Sequence, residues 1–110
     1  MLPPALSIGN LLAHAEPPAA GERTETLLQH GPLRIERIVS SAAITPMDFC
    51  QEQDEWVALL RGEATLEVAG QTVELGPGDH VFLPARTPHR VLRCSTGALW
   101  LAVHLDPASG

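Results

Sequence analysis

From Thr24 onward, short apolar runs alternate with polar turn residues, at the spacing of strands rather than helices. Thr24–Gln29 and Leu33–Ser40 read as two strands divided by the turn His30-Gly31-Pro32. A second turn, Thr45-Pro46-Met47-Asp48, comes before the dense apolar run Trp56–Arg61, which stops at Gly62. Ala64–Val68 and Thr72–Leu75 flank Ala69-Gly70, a hairpin signal. Leu75-Gly76-Pro77-Gly78-Asp79 reads as a tight loop, and Val81–Pro84, His89–Cys94 and Leu99–Leu105 complete the set. About eight or nine short strands at even spacing predict an all-β sandwich or barrel.

Residues 1–22 follow another pattern. Pro3, Pro4, Pro17 and Pro18 interrupt them, and Asn10–His14 has room only for a short helical turn. This segment reads as an N-terminal arm whose Leu and Ile residues dock on something, such as a partner subunit. Residues 23–110 read as a single barrel domain.

Composition narrows the function. A chain of 110 residues makes one compact domain, and 45% hydrophobic residues can fill its core. A formal net charge of −6 argues against nucleic acid and against an anionic membrane surface. All seven basic residues are arginines, which excludes Schiff-base catalysis and a phosphate-loop lysine. Tyr is absent, and Phe49, Phe82, Trp56 and Trp100 make no platform for stacking bases. No run approaches the roughly 20 apolar residues of a membrane span. The first residues lack the basic and apolar regions of a secretory signal. Cys50 and Cys94 read as isolated reduced thiols, so a cytoplasmic location is expected.

Candidate chemistry sits where ionisable residues adjoin dense strands. One such segment is Gln51-Glu52-Gln53-Asp54-Glu55-Trp56-Val57, running on to Gly62. The other is Gly78-Asp79-His80-Val81-Phe82-Leu83-Pro84-Ala85-Arg86-Thr87-Pro88-His89. Together they resemble the two motifs of the cupin superfamily. Glu55 and Gly62 have the Glu-to-Gly spacing of the first motif. Gly78, Pro84 and His89 fit the second, with Arg86 in place of its middle Gly. The Asp-Glu-Trp-Val and Trp-Leu-Ala-Val-His strings further resemble small single-domain cupins. The resemblance covers roughly residues 24–105. It implies a small jelly-roll barrel, a homodimer and a small-molecule ligand inside the barrel.

The departures from the family pattern fall on the metal ligands. The two first-motif histidines would stand at Phe49 and Gln51. Phe49 cannot ligate a metal, and Gln51 offers only a neutral carbonyl oxygen. Glu55 and His89 match the remaining ligands. In such a barrel the last strand runs antiparallel beside the strand that opens at Glu55, which brings His104 near. Gln51, Glu55, His89 and His104 then form a mixed site for a divalent ion such as Mn, Fe, Ni or Zn. Asp54 beside Glu55 would make a pair of carboxylates suited to acid–base work.

Other residues read more plainly. His14, His30 and His80 are expected to be structural or exposed, and Trp56 and Trp100 to pack in the core or an interface. Asp79 is expected to bond its own turn. Arg90 and Arg93, an odd number apart, should leave opposite faces of one strand, so that one could bind a substrate carboxylate at the barrel mouth. Arg37 is another candidate if its face turns inward.

Three functions follow from the resemblance. The first is a metal-dependent cupin, acting as a dioxygenase-like oxidoreductase or an isomerase if it is an enzyme. The second is a metal-free small-molecule-binding or regulatory cupin without catalysis. The third is a dimeric structural protein with a vestigial pocket.

Overall fold

A computed structural model describes Leu6 and residues 8–107; Pro3, Pro4 and the extreme ends of the arm and barrel lie outside it. Eight strands form two antiparallel sheets. The larger contains β1 (Glu22–His30), β2 (Leu33–Ser40), β8 (Ala98–Leu105), β3 (Asp54–Arg61) and β6 (His80–Leu83), in that order. The smaller orders β5 (Gln71–Leu75), β4 (Ala64–Val68) and β7 (His89–Cys94). No helix occurs among the described residues, so none is long and apolar enough to cross a membrane. This is an all-β jelly-roll barrel, as the spacing and the motifs predict.

Local sequence explains the connections. Ala69 and Gly70 both have positive φ, 49° and 82°. Two positive φ values in a two-residue loop match the twist of the strands they join. Asn10 starts the expected turn, its Oδ1 accepting from Leu12 N–H at 2.8 Å. Asp79 accepts from Gly76 N–H at 2.8 Å, so it bonds its own turn as predicted.

Alternation along the strands sends one set of side chains between the sheets. Leu59, Leu66, Leu75, Leu83, Ala98 and Trp100 are buried there. Trp100 donates its indole N–H to Ser40 Oγ at 3.2 Å, which satisfies the one polar atom that its burial would strand. Both cysteines are free thiols. Burial pushes the Cys94 thiol up, and its Sγ donates to Ser41 O at 3.3 Å.

Arg37 corrects an expectation. Its strand turns that side chain to the outer face of the larger sheet, where the arm folds over it. Its guanidinium donates to the carbonyls of Leu11, Ala13 and His14 and to Glu25. Arg23 adds bonds to His14 O at 2.8 Å and Glu16 O at 3.1 Å. The hydrogen bond from Arg37 holds the Glu25 carboxyl below its ordinary range, and the charges of Arg37 and Arg23 add to this. A carboxylate lowered in this way stabilises the clasp fully above the ordinary glutamate value, and the effect is lost as pH falls through the lowered value. Acidification should therefore loosen the arm before the barrel. The check is amide protection of Ala13, corrected for the intrinsic exchange rate at each pH; protection that persists unchanged into acid would refute it.

Arg90 and Arg93 correct another. Arg90 pairs with Glu67 and Arg93 with Thr65, while Val91 pairs with Leu66. The register shift between Thr65 and Leu66 leaves Leu92 as an extra residue on β7. A bulge of this kind resets the alternation. Both arginines consequently lie on the outer face, where Arg90 Nη2 meets Glu67 at 3.4 Å and Arg93 Nε donates to Thr65 Oγ1 at 3.0 Å.

Candidate functional site

One row of residues crosses the inner face of the larger sheet. Arg34 on β2 pairs with His104 on β8, His104 with Glu55 on β3, and Glu55 with Leu83 on β6. Glu36 lies two residues from Arg34 on the same face. From the smaller sheet His89 enters at the start of β7, two residues before Val91. These side chains line a cavity of about 350 Å³ between the sheets. Gln51 and Glu55, together with the distant His89 and His104, all reach it.

Thr87 O, a pure acceptor, lies 2.9 Å from His89 Nδ1, so Nδ1–H donates to it and holds the ring. Nε2 faces Glu55 Oε1, 3.7 Å away. Phe49 stacks on the imidazole with centroids 5.7 Å apart, and the two residues exchange backbone hydrogen bonds of 2.8 and 2.9 Å. The aromatic ring that stands where the family pattern has a histidine thus covers the one that remains.

His104 is 6% exposed, and neither ring nitrogen has an aligned hydrogen-bond partner among the described residues. Its Nε2 sits 2.9 Å from Glu36 Oε1 and 3.9 Å from Glu55 Oε2. The approach to Glu36 is close without being a directed hydrogen bond. Leaving a buried polar group in this state costs about 1–3 kcal/mol.

Gln51 presents its amide nitrogen, donating to Glu55 Oε1 at 2.9 Å, and so orients that carboxylate. Its backbone O accepts from Arg86 N–H at 2.7 Å, which ties the two motif segments together. Arg86 has φ of 62°, the conformation a glycine adopts readily, at the position where the family pattern has one. Asp54 is not the second carboxylate of the site. It accepts from Ala85 N–H at 2.8 Å, and Glu36 takes that place.

Sequence reasoning missed both Arg34 and Glu36. In Leu33–Ile38 they alternate with Ile35 and Arg37, a pattern that reads as polar residues facing solvent. Here the polar face turns inward. A cavity wall lined by polar side chains reverses the usual sense of that alternation.

The family model of the cupin domain matches residues 37–104, more than half the chain. The chain is a cupin. Among solved structures this cupin resembles a Ralstonia eutropha JMP134 protein described as a "putative mannose-6-phosphate isomerase". The two are 36% identical over 93% of this chain and 100% of the other, with a TM-score of 0.81. It shares its fold with a Thermus thermophilus protein (TM-score 0.79, 23% identity, 92% and 98% of the two chains). An RmlC-like cupin from Shewanella frigidimarina NCIMB 400 is a further fold relative (TM-score 0.73, 19% identity, 86% and 84% covered). No curated protein matches the cupin.

Cupins often hold a metal, so the donors invite that comparison. Among the described residues no three His, Cys, Asp or Glu side chains form a ready metal cluster. The groups meet in pairs instead: His89 with Glu55, His104 with Glu36 and with Glu55. Their chemistry still fits a divalent ion. Two imidazoles and carboxylate oxygens are the donors that Mn, Fe, Ni and Zn accept. His89 Nε2 faces a carboxylate oxygen, and His104 is buried without a directed partner; a cation between them would give both a partner. Glu22, Glu36 and Glu55 line the cavity against the single guanidinium of Arg34. With neutral imidazoles this lining is two charges negative.

Proposed function

We propose that this cupin binds a divalent transition-metal ion in the barrel and holds a small polar ligand beside it. Glu55, His89 and His104 would hold the ion, with Glu36 as a fourth donor and Gln51 positioning Glu55. The observation that carries the reading is the buried, unpartnered imidazole of His104 facing two carboxylates. When bound, the ion supplies Lewis-acid polarisation of a ligand oxygen. The chain's own groups do the rest. Glu36 and Glu55 can take up or return a proton, Phe49 shields the His89 edge, and Trp100 and Leu66 keep the cavity floor apolar. This inventory suits proton transfer, the kind of step an isomerase performs, and the isomerase description of the Ralstonia relative agrees with it.

The test is metal analysis of purified protein, followed by equilibration with Mn, Ni and Zn after chelation. Stoichiometric uptake of one of these ions is expected, and no uptake of any would refute the metal reading. A metal-free binding barrel is the second reading, favoured by the existing Gln51–Glu55 and Glu36–His104 contacts.

We also propose that two copies pair through the outer face of the larger sheet. Leu28, Ile35, Val103, Trp56 and Phe82 form one apolar row across all five strands, with Phe82 55% exposed. Leu6 and Ile8 of the arm, each 88% exposed, add apolar surface that one copy leaves uncovered. Light scattering at micromolar concentration should give the mass of a dimer, and Phe82→Glu should give that of a monomer. A monomeric parent protein would exclude the pairing. A cytoplasmic location, with no nucleic-acid or membrane partner, belongs to the same proposal, on the acidic charge and the free thiols.

A further inference from the structure

We propose that Arg34 recognises the ligand of this barrel and that the ligand is a small monocarboxylate; this rests on the reading that a divalent ion occupies the acidic centre. Arg34 stands in the same cross-strand row as His104 and Glu55 and lines the cavity. Its Nε is buried without an acceptor. The nearest carboxylate oxygen, Glu36 Oε2, is 3.6 Å away, beyond hydrogen-bond length. Its side chain is 34% exposed while lining the cavity, so it is not sealed off from an incoming molecule. A guanidinium offers paired parallel donors that match the two oxygens of a carboxylate.

The other six arginines lie elsewhere. Arg23 and Arg37 hold the arm, Arg90 and Arg93 meet acidic groups on the outside, Arg86 lies by Glu52 at 3.9 Å, and Arg61 is exposed at the end of β3. The chain has no lysine. Arg34 is therefore the one cationic side chain lining this cavity among the described residues. Charge then selects the anion. A divalent ion and Arg34 together offset the three lining carboxylates, so a monoanion adds one charge and a phosphate dianion adds two. Shape selects its body. Ile38, Leu66, Val91 and Trp100 form an apolar wall, and the cavity is at the small end of ligand pockets.

Titration calorimetry on the manganese-equilibrated protein should use benzoate, its neutral isostere benzamide, and phenyl phosphate. Benzoate is expected to bind on the order of tenfold to a hundredfold tighter than benzamide, the scale of a hydrogen-bonded charge pair. It should also bind tighter than phenyl phosphate. Arg34→Gln should erase the preference for benzoate and leave metal uptake intact. Arg34→Lys, which keeps the charge and loses the fork, should restore only part of it. Equal binding of benzoate and benzamide, tighter binding of phenyl phosphate, or a preference that survives Arg34→Gln would overturn the proposal. A protein that takes up no metal yet shows the Arg34-dependent preference would sink the metal reading alone; metal uptake without that preference would sink this one alone.

Discussion

Glu55→Gln is expected to abolish retention of divalent metal while the barrel stays folded. Among the described residues Glu55 is the only carboxylate in contact with both imidazoles, 3.7 Å from His89 Nε2 and 3.9 Å from His104 Nε2. Glutamine has the same shape without the charge, so β3 and its pairing with β8 need not change. Loss of an outer-shell partner typically weakens a metal site about 10–100-fold, and loss of a direct ligand should exceed the upper end of that range. Stability gives an independent readout. Metal at roughly a hundred times its Kd should raise the unfolding free energy of the parent protein by about 2.7 kcal/mol, and that increment should vanish in the variant. In chelator the variant should melt no lower than the parent, because the substitution removes one of the two like charges that approach His104, Glu36 and Glu55. Equal uptake by the variant and the parent would show that the ion, if any, is held elsewhere.

The same experiment separates the roles of Gln51 and Glu36. Gln51 donates to Glu55 and acts through it, so Gln51→Ala should weaken uptake by roughly tenfold, as for an orienting partner. Glu36 touches His104 directly. Glu36→Gln should therefore cost more than Gln51→Ala.

Much of this site could be read from the chain because motif and register work together. Glu55 opens β3 and His104 nearly closes β8, and antiparallel pairing sets them directly opposite. His89 follows a proline at the start of β7, where side-chain direction is fixed by the strand. Arg34 and Glu36 escaped because their strand has no turn or motif to say which face is inside. A single-face alternation has two orientations, and only β8 and β3 beside it choose between them. Arg90 and Arg93 failed for a related reason. Counting by twos assumes an unbroken ladder, and Leu92 breaks it. The outward direction of Arg37 follows from the same choice of face, and its burial there depends on the arm that folds over it, a contact more than twenty residues away in sequence.

Gly62 shows what a conformational reading of a glycine can and cannot foresee. The end of β3 marks it as a turn residue, and its φ of +85° agrees. The sequence does not reveal that space is equally tight. A Cβ there would lie 2.5 Å from Ser95 Oγ and 3.1 Å from the Cα of Ala98, which is fully buried at the start of β8. Ser95 Oγ already accepts from Glu63 N–H at 2.9 Å, so moving it away breaks that bond. Gly62→Ala therefore combines a left-handed backbone cost of about 1–2 kcal/mol with an overpacking cost of about 1–3 kcal/mol. For a chain of this size that sum should lower the melting temperature by roughly 10–20 °C. Gly70→Ala is the control: its φ is +82°, yet nothing lies within 4 Å of the added Cβ. It should carry the backbone cost alone. Thermal melts that show equal losses for the two variants would mean that β8 yields to the extra methyl, and that the close approach of Gly62 to Ala98 contributes little to holding the sheets together.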